Sequence, residues 1–359
     1  MKRFAAMILA LCLLLSGCST LLDGSYHSAK PHEEQQSSAD DHTVAVSSYT
    51  ALCRALGNMV ESGSESFVIS VEHYDQLAVT RDMRSAIQEV MTNNPIGAYA
   101  VDEITFELGT NAGQPAVAVT VRYHHDRTEI RKIQTVSESA EVREAIAAAL
   151  DNCEPGLVLY VENFEQLDYA QWATDYGAQN PDKVMEQPQV TANIYPETGD
   201  VRVVELKFTY QNSREALRNM QEQVQVLFDE AVDYVSDTEK PEEKYQQIYA
   251  FLMERFEEYQ QDTSITPAYS LLIHGVGDAK AFAWVYSAMC RMAGLECIVV
   301  TGTRAGEPWY WNIVCRDGVY YHVDVLKCDK SGAFRMEADG NMSGYVWDYS
   351  AYPACGVTE

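Results

Sequence analysis

The chain has 359 residues, 47% hydrophobic and 10% aromatic, which is enough apolar mass for two or three packed domains and excludes a disordered polymer. Lys and Arg number 26 against 53 Asp and Glu, a formal net charge of −27. That excess excludes nucleic acid as a partner, because phosphate binding needs clustered basic side chains, and it excludes charge-driven adhesion to anionic lipid.

Met1 to Cys18 reads MKRFAAMILALCLLLSGC. Lys2 and Arg3 form a positive start, and Phe4 to Leu15 is an apolar run too short for a membrane span. The end, Leu15-Ser16-Gly17-Cys18, resembles a bacterial lipobox. That resemblance implies a signal peptide over 1–17, acylation of Cys18, and a protein held at the extracytoplasmic face of the cell membrane by lipid. The stretch 18–45 is polar and without period, and is predicted to be a tether.

Beyond Cys18 there are seven cysteines: Cys53, Cys153, Cys290, Cys297, Cys315, Cys328 and Cys355. They form no CxxC pair, so no zinc knuckle or redox motif is predicted, and their disulfide pairing stays open.

The middle of the chain echoes itself. Phe67 to Leu77, FVISVEHYDQL, matches Leu157 to Leu167, LVLYVENFEQL. Val117, Val119, Val121 and Tyr123 match Val204, Leu206, Phe208 and Tyr210, each 87 residues on, with more polar residues between them. This alternation predicts a strand with one buried face. Asp126 and Ser213 follow as matching helix caps. Two α+β modules, 46–135 and 136–235, are therefore expected as tandem copies, each ordered helix, strand, helix, strand, strand, helix. His73, His124 and His125 lack metal-ligand spacing, and no chemistry is assigned to these modules.

Residues 236–359 read as a third unit. Pro241 opens a helix, and Asp278 caps another from Ala279 to Ala293 that is apolar nearly all round, as a buried central helix would be. Cys297 to Val300 predicts a strand. Trp309 to Cys315 and Val319 to Val325 predict a hairpin turned by Asp317-Gly318.

The stretches MAGLECIVVTGT, GEPWYWNIV, DGVYYHVDV and MEADGNMSGYVWDYSAYPAC, in this order after a buried helix, resemble the transglutaminase-like domain of the papain-like cysteine enzymes. The resemblance implies an α+β fold with a central helix packed on an antiparallel sheet. It also implies a Cys-His-Asp triad: Cys at the helix start, His opening the first hairpin strand, Asp ending the second. These positions fall on Ala279, Trp309 and Asp324. A methyl group cannot attack, and an indole N–H can donate but cannot take a proton. Asp278, Tyr310, Trp311 and His322 are the candidate cleft-lining residues. Hairpin pairing places Ile313 opposite His322. It puts Trp309, Trp311, His322 and Asp324 on one face, expected to look toward Ala279. The aromatics Tyr310, Trp311, Tyr320 and Tyr321 are expected near that cleft, where they suit peptide or cell-wall glycan as partner. Asp339, Asn341, Ser343 and Gly344 imitate the start of a calcium loop, but Ser350 stands where the bidentate Glu belongs, so neither a metal nor a cofactor is assigned.

The sequence thus predicts a lipid-anchored extracytoplasmic protein whose degenerate transglutaminase-like domain binds or scaffolds without catalysis. The alternative is a cysteine amide hydrolase or acyltransferase with a relocated nucleophile.

Overall fold

Alternating apolar residues and short turns build three four-stranded sheets, and helices bury a face of each. The computed structural model describes residues 43–235, 240–259 and 266–356. The signal segment, Cys18 and nearly all of the tether lie outside the described residues. No helix among the described residues is long and apolar enough to cross a membrane.

The first sheet comprises β1 (Thr43–Ala45), β2 (Ser66–Ser70), β3 (Val101–Asn111) and β4 (Gln114–Tyr123), in the order β1-β2-β4-β3. Helices α1 (Tyr49–Ser62), α2 (Val79–Asn93) and α3 (Pro95–Ala100) contribute Leu56, Met83 and Tyr99 to its core, and α4 (Arg127–Ile130) follows β4. Thr43–Ala45 is a short edge strand where the sequence predicted tether. Its three exposed residues carry no pattern that could reveal it.

The second sheet comprises β5 (Gln134–Val136), β6 (Gly156–Val161), β7 (Gln189–Tyr195) and β8 (Arg202–Thr209), in the order β5-β6-β8-β7. Its helices are α5 (Ser139–Asp151), α6 (Tyr169–Gln179) and α7 (Arg214–Tyr234). The two sheets share their pairing. Phe67 lies opposite Val119 and Ile69 opposite Val117, while Leu157 lies opposite Leu206 and Leu159 opposite Val204. Partners displaced by 90 and 87 residues thus meet in the same register. Asp126 caps α4 through a capping box with Glu129, and Ser213 caps α7 by accepting from the Ala216 amide. The capped helices then diverge, with four residues in α4 against 21 in α7.

The length of α7 has a packing reason. Leu217, Val224, Phe228 and Ala231 reach into the core of the third unit, beside Phe282 and Tyr286. That core is built around α8 (Pro241–Arg255), α9 (Pro267–His274) and α10 (Ala279–Met292). Ten of the 14 residues of α10 are buried, and the Tyr286 hydroxyl donates to the Tyr245 carbonyl at 3.0 Å.

A short parallel pair, β9 (Glu257–Glu258) and β10 (Val276–Gly277), precedes the third sheet, which comprises β11 (Cys297–Arg304), β12 (Glu307–Arg316), β13 (Val319–Val323) and β14 (Tyr345–Trp347), in the order β13-β12-β11-β14. Asp317 and Gly318 both take positive φ, 53° and 79°, the left-handed pair that a two-residue hairpin of Asp-Gly adopts. Ile313 lies opposite His322, in the register that the turn dictates. The strand stops at Val323. Asp324 then caps the short helix α11 (Val325–Ser331) through the Lys327 amide.

Both faces of this sheet are covered. Asn312 donates from Nδ2 to the Ala283 carbonyl of α10 at 2.9 Å, and Val314 and Val323 share the α10 core. Trp311 and Ile313 point the other way, onto Met342, Tyr345, Trp347 and Cys355. Trp309, Trp311, His322 and Asp324 do share one side of the hairpin. Trp311 and His322 are roofed there by the C-terminal segment, which corrects the expectation that they look toward Ala279, whereas Trp309 also packs against the α10 core that holds Ala279.

Candidate functional site

Asp278 is half-buried and caps α10, accepting from the Ala281 amide at 2.8 Å. Ala279, the first residue of α10, presents a buried methyl group. Asp324 is 6% exposed and collects four donors. Its Oδ2 accepts from Trp309 Nε1 at 2.9 Å, from the Tyr345 hydroxyl at 2.5 Å and from Arg304 Nη1 at 3.4 Å, and its Oδ1 accepts from the Lys327 amide at 3.0 Å. The Arg304 guanidinium lies over both rings, 5.0 Å from the Trp309 centroid and 5.5 Å from that of Tyr345. Burial, reinforced by the Asp324 carboxylate, pushes the Tyr345 pKa far above its usual value, so this hydroxyl stays a donor.

Trp309 Nε1–H therefore occupies the Asp324 contact that a histidine N–H could make. The equivalence ends at that bond. An imidazole has a second nitrogen with a lone pair, and an indole does not. The constellation of Trp309, Asp324, Arg304 and Tyr345 orients an indole and neutralises a buried carboxylate. It contains no imidazole.

Two of the expected cleft residues are interior. Trp311 and His322 are each 0% exposed, whereas Tyr310 is half-buried and lies beneath the Lys280 ammonium, 5.7 Å from its ring centroid. Gly302 makes room for Trp311, since a Cβ there would stand 2.8 Å from the indole Cη2 and 2.3 Å from the Val346 carbonyl oxygen. Tyr320 and Tyr321 lie toward the hairpin turn, bonded to Glu296 and Arg316. The four aromatics therefore do not form one surface.

Trp311 Nε1 lies 3.0 Å from His322 Nδ1, and His322 Nε2 lies 2.9 Å from Asp339 Oδ1. An indole N–H can only donate, so Nδ1 accepts and the imidazole proton sits on Nε2, donated to Asp339. Burial lowers the His322 pKa and Asp339 pulls it back only in part, so the ring is held neutral. Both nitrogens are occupied, which leaves His322 no free lone pair for base catalysis.

Asp339, His322 and Cys355 bring an oxygen, a nitrogen and a sulfur within 4.8 Å of one another. A cation on Nε2 would need the proton on Nδ1, where it would confront the Trp311 donor. The cluster is better satisfied by hydrogen bonds. Asp339 Oδ2 also accepts the Cys355 amide at 3.1 Å, so both oxygens of the first calcium-like position are engaged.

His322, Asp324, Cys328, Arg335, Glu337 and Met342 border a cavity of about 290 Å³. Cys328 is the thiol in that wall. Burial pushes its pKa up to about 11, and its sulfur accepts the Arg335 amide at 3.3 Å. Cys290, wholly buried in α10, is shifted upward for the same reason. Neither has the depressed pKa of an activated nucleophile.

The sequence pointed to Asp324, Trp309 and His322, missed Arg304 and Tyr345, and offered Asp339 only as a calcium-loop position, not as the partner of His322. The Arg304–Tyr345 pairing is formed by a three-residue strand, and Asp339 sits in a single 3-10 turn. Neither leaves a periodic signal. The one available sign was Tyr345 itself, inside the C-terminal stretch that carried the resemblance.

Residues 229–333 match the family described as the transglutaminase-like superfamily. Among solved structures, a TGase aligns with 9% identity and a TM-score of 0.26, covering 61% of this chain and 63% of that one. A candidate cysteine protease from Cytophaga hutchinsonii aligns with 12% identity and a TM-score of 0.26, covering 44% and 70%. A candidate protease from Parabacteroides distasonis aligns with 9% identity and a TM-score of 0.24, covering 58% and 45%. The chain thus spans less than two thirds of the TGase structure. No curated protein matches the sequence.

Proposed function

We propose that this transglutaminase-like domain is a non-catalytic binding or scaffolding module, carried by a lipoprotein at the extracytoplasmic face of the cell membrane. The observation that carries the first part is the 2.9 Å bond from Trp309 Nε1 to Asp324, with Ala279 at the start of α10. The acid of a Cys-His-Asp arrangement keeps its N–H partner, while the positions of nucleophile and base hold a methyl group and an indole. The free amides and positive end of α10 would still stabilise a thiolate, so what is lacking is the sulfur and the imidazole. A nucleophile relocated to Cys328 or Cys290 is disfavoured by burial, which keeps both thiols protonated.

The test is comparative alkylation with iodoacetamide at neutral pH. Wild type is expected to label slowly at every cysteine, and the Ala279→Cys, Trp309→His double variant to gain one fast site at position 279. Stoichiometric fast labelling of Cys328 or Cys290 in wild type, together with amide hydrolysis that vanishes in Cys328→Ser or Cys290→Ser, overturns the proposal.

The anchoring rests on the sequence around Cys18. Intact mass of detergent-extracted protein is expected to show a chain starting at Cys18 and carrying fatty acyl mass. An unacylated chain beginning at Met1 rejects it. The shared strand order and register of the first two sheets support a duplication of one α+β unit, and we assign these units a spacing role between membrane and domain.

A further inference from the structure

A second cavity, of about 260 Å³, opens between the second α+β unit and the flank of α10. It is lined by Gly177 and Ala178 of α6, Gln187, Pro267 of α9, and Lys280 and Trp284 of α10, among others. Junctions between packed units are common places for small-molecule sites. This one is tied down on both sides: Arg291 Nη2 donates to the Gln179 carbonyl at 2.9 Å, and the Thr266 amide donates to the Met185 carbonyl at 3.2 Å.

Its polar atoms are unbalanced. Trp284 Nε1 and Gln187 Nε2 are both buried and neither has a hydrogen-bond partner. Buried donors are normally satisfied, so two orphans on one cavity mark a place where an acceptor is missing. Lys280 adds an ammonium whose partner among the described residues is the Tyr310 ring, 5.7 Å from its centroid, and no carboxylate is among the described lining residues. The rest of the lining is mostly small and apolar. Gly177 keeps the floor open, since a Cβ there would stand 2.7 Å from Gln187 Oε1 and 3.1 Å from Val184 Cγ1.

We infer that this cavity binds a small organic carboxylate with an apolar body, its oxygens taken by Lys280, Trp284 Nε1 and Gln187 Nε2. The carboxylate supplies acceptors to all three groups, and the apolar part fills the space against Ala178, Pro267, Ala268 and Ala281. The volume lies just below the usual range for drug-sized ligands, which fits a molecule of amino-acid size. The site is separate from the Trp309–Asp324 pair and does not depend on how that pair is understood.

The test follows the indole ¹H–¹⁵N signal of Trp284 in the full chain, identified as the signal lost in Trp284→Phe. The probes are N-acetylalanine and its C-terminal amide, which differ only in the charged group. The signal is expected to shift on titration with the acid, with the amide binding about tenfold or more weakly, as for loss of a charge-assisted bond. Lys280→Met keeps the aliphatic stem and is expected to abolish most of that preference while leaving the spectrum otherwise folded. A Trp284 signal unmoved by either probe, equal binding of acid and amide, or full acid preference in Lys280→Met each overturns the assignment.

Discussion

Trp311→Ala is expected to destabilise the protein by about 3–5 kcal/mol, the usual cost of emptying a fully buried aromatic site. The indole is 0% exposed and packs edge-on against Tyr345 and Trp347, with centroids 5.1 Å and 5.8 Å away. It also supplies the proton to His322 Nδ1, so its removal leaves a buried acceptor unpaired beside the new cavity. Trp311→Phe separates the two contributions. It retains most of the packing and loses only the N–H, so about 1–3 kcal/mol is expected. The measurement is the denaturant midpoint at constant m-value, read by circular dichroism. A loss below about 1 kcal/mol for the alanine variant would mean that the C-terminal segment does not close over this face.

That closure is also what the sequence concealed. The hairpin was legible because Asp317-Gly318 can make few other turns, and its register followed by counting. The central helix was legible because its apolar residues run right round it. Period-two alternation served β4 from Val117 to Arg122 and β8 from Leu206 to Thr209, where neighbouring residues differ in polarity and burial. It failed at β12, where Trp311, Asn312, Ile313 and Val314 are all buried in succession. A strand covered on both faces has no polar side to set the phase. Parity then says which residues share a face but not which face meets the helix. Asn312, between Trp311 and Ile313, is the residue that bonds α10, and Trp311 points away from it. The partners of Asp324 were hidden for a different reason. Arg304 and Tyr345 are distant in sequence and meet only where β11 pairs with β14.

Asp324→Ala is expected to cost about 3–5 kcal/mol, because removing one member of a buried charged network strands the rest. Trp309 Nε1, the Tyr345 hydroxyl and the Arg304 guanidinium would lose a common acceptor in a site that water barely reaches, and α11 would lose its cap. Asp324→Asn tests the assignment more finely. Its carbonyl oxygen can keep the Lys327 amide bond, but its amide nitrogen then faces three donors, so this variant should recover only a small part of the loss. Asp324→Ala, Tyr345→Phe is expected to be less damaging than the sum of the single changes, since the hydroxyl that the first change strands is absent in the second. Equilibrium denaturation of the four proteins completes the cycle. Strict additivity would sink the network. A pair coupled through the carboxylate is a structural anchor, in keeping with the non-catalytic role proposed for this domain.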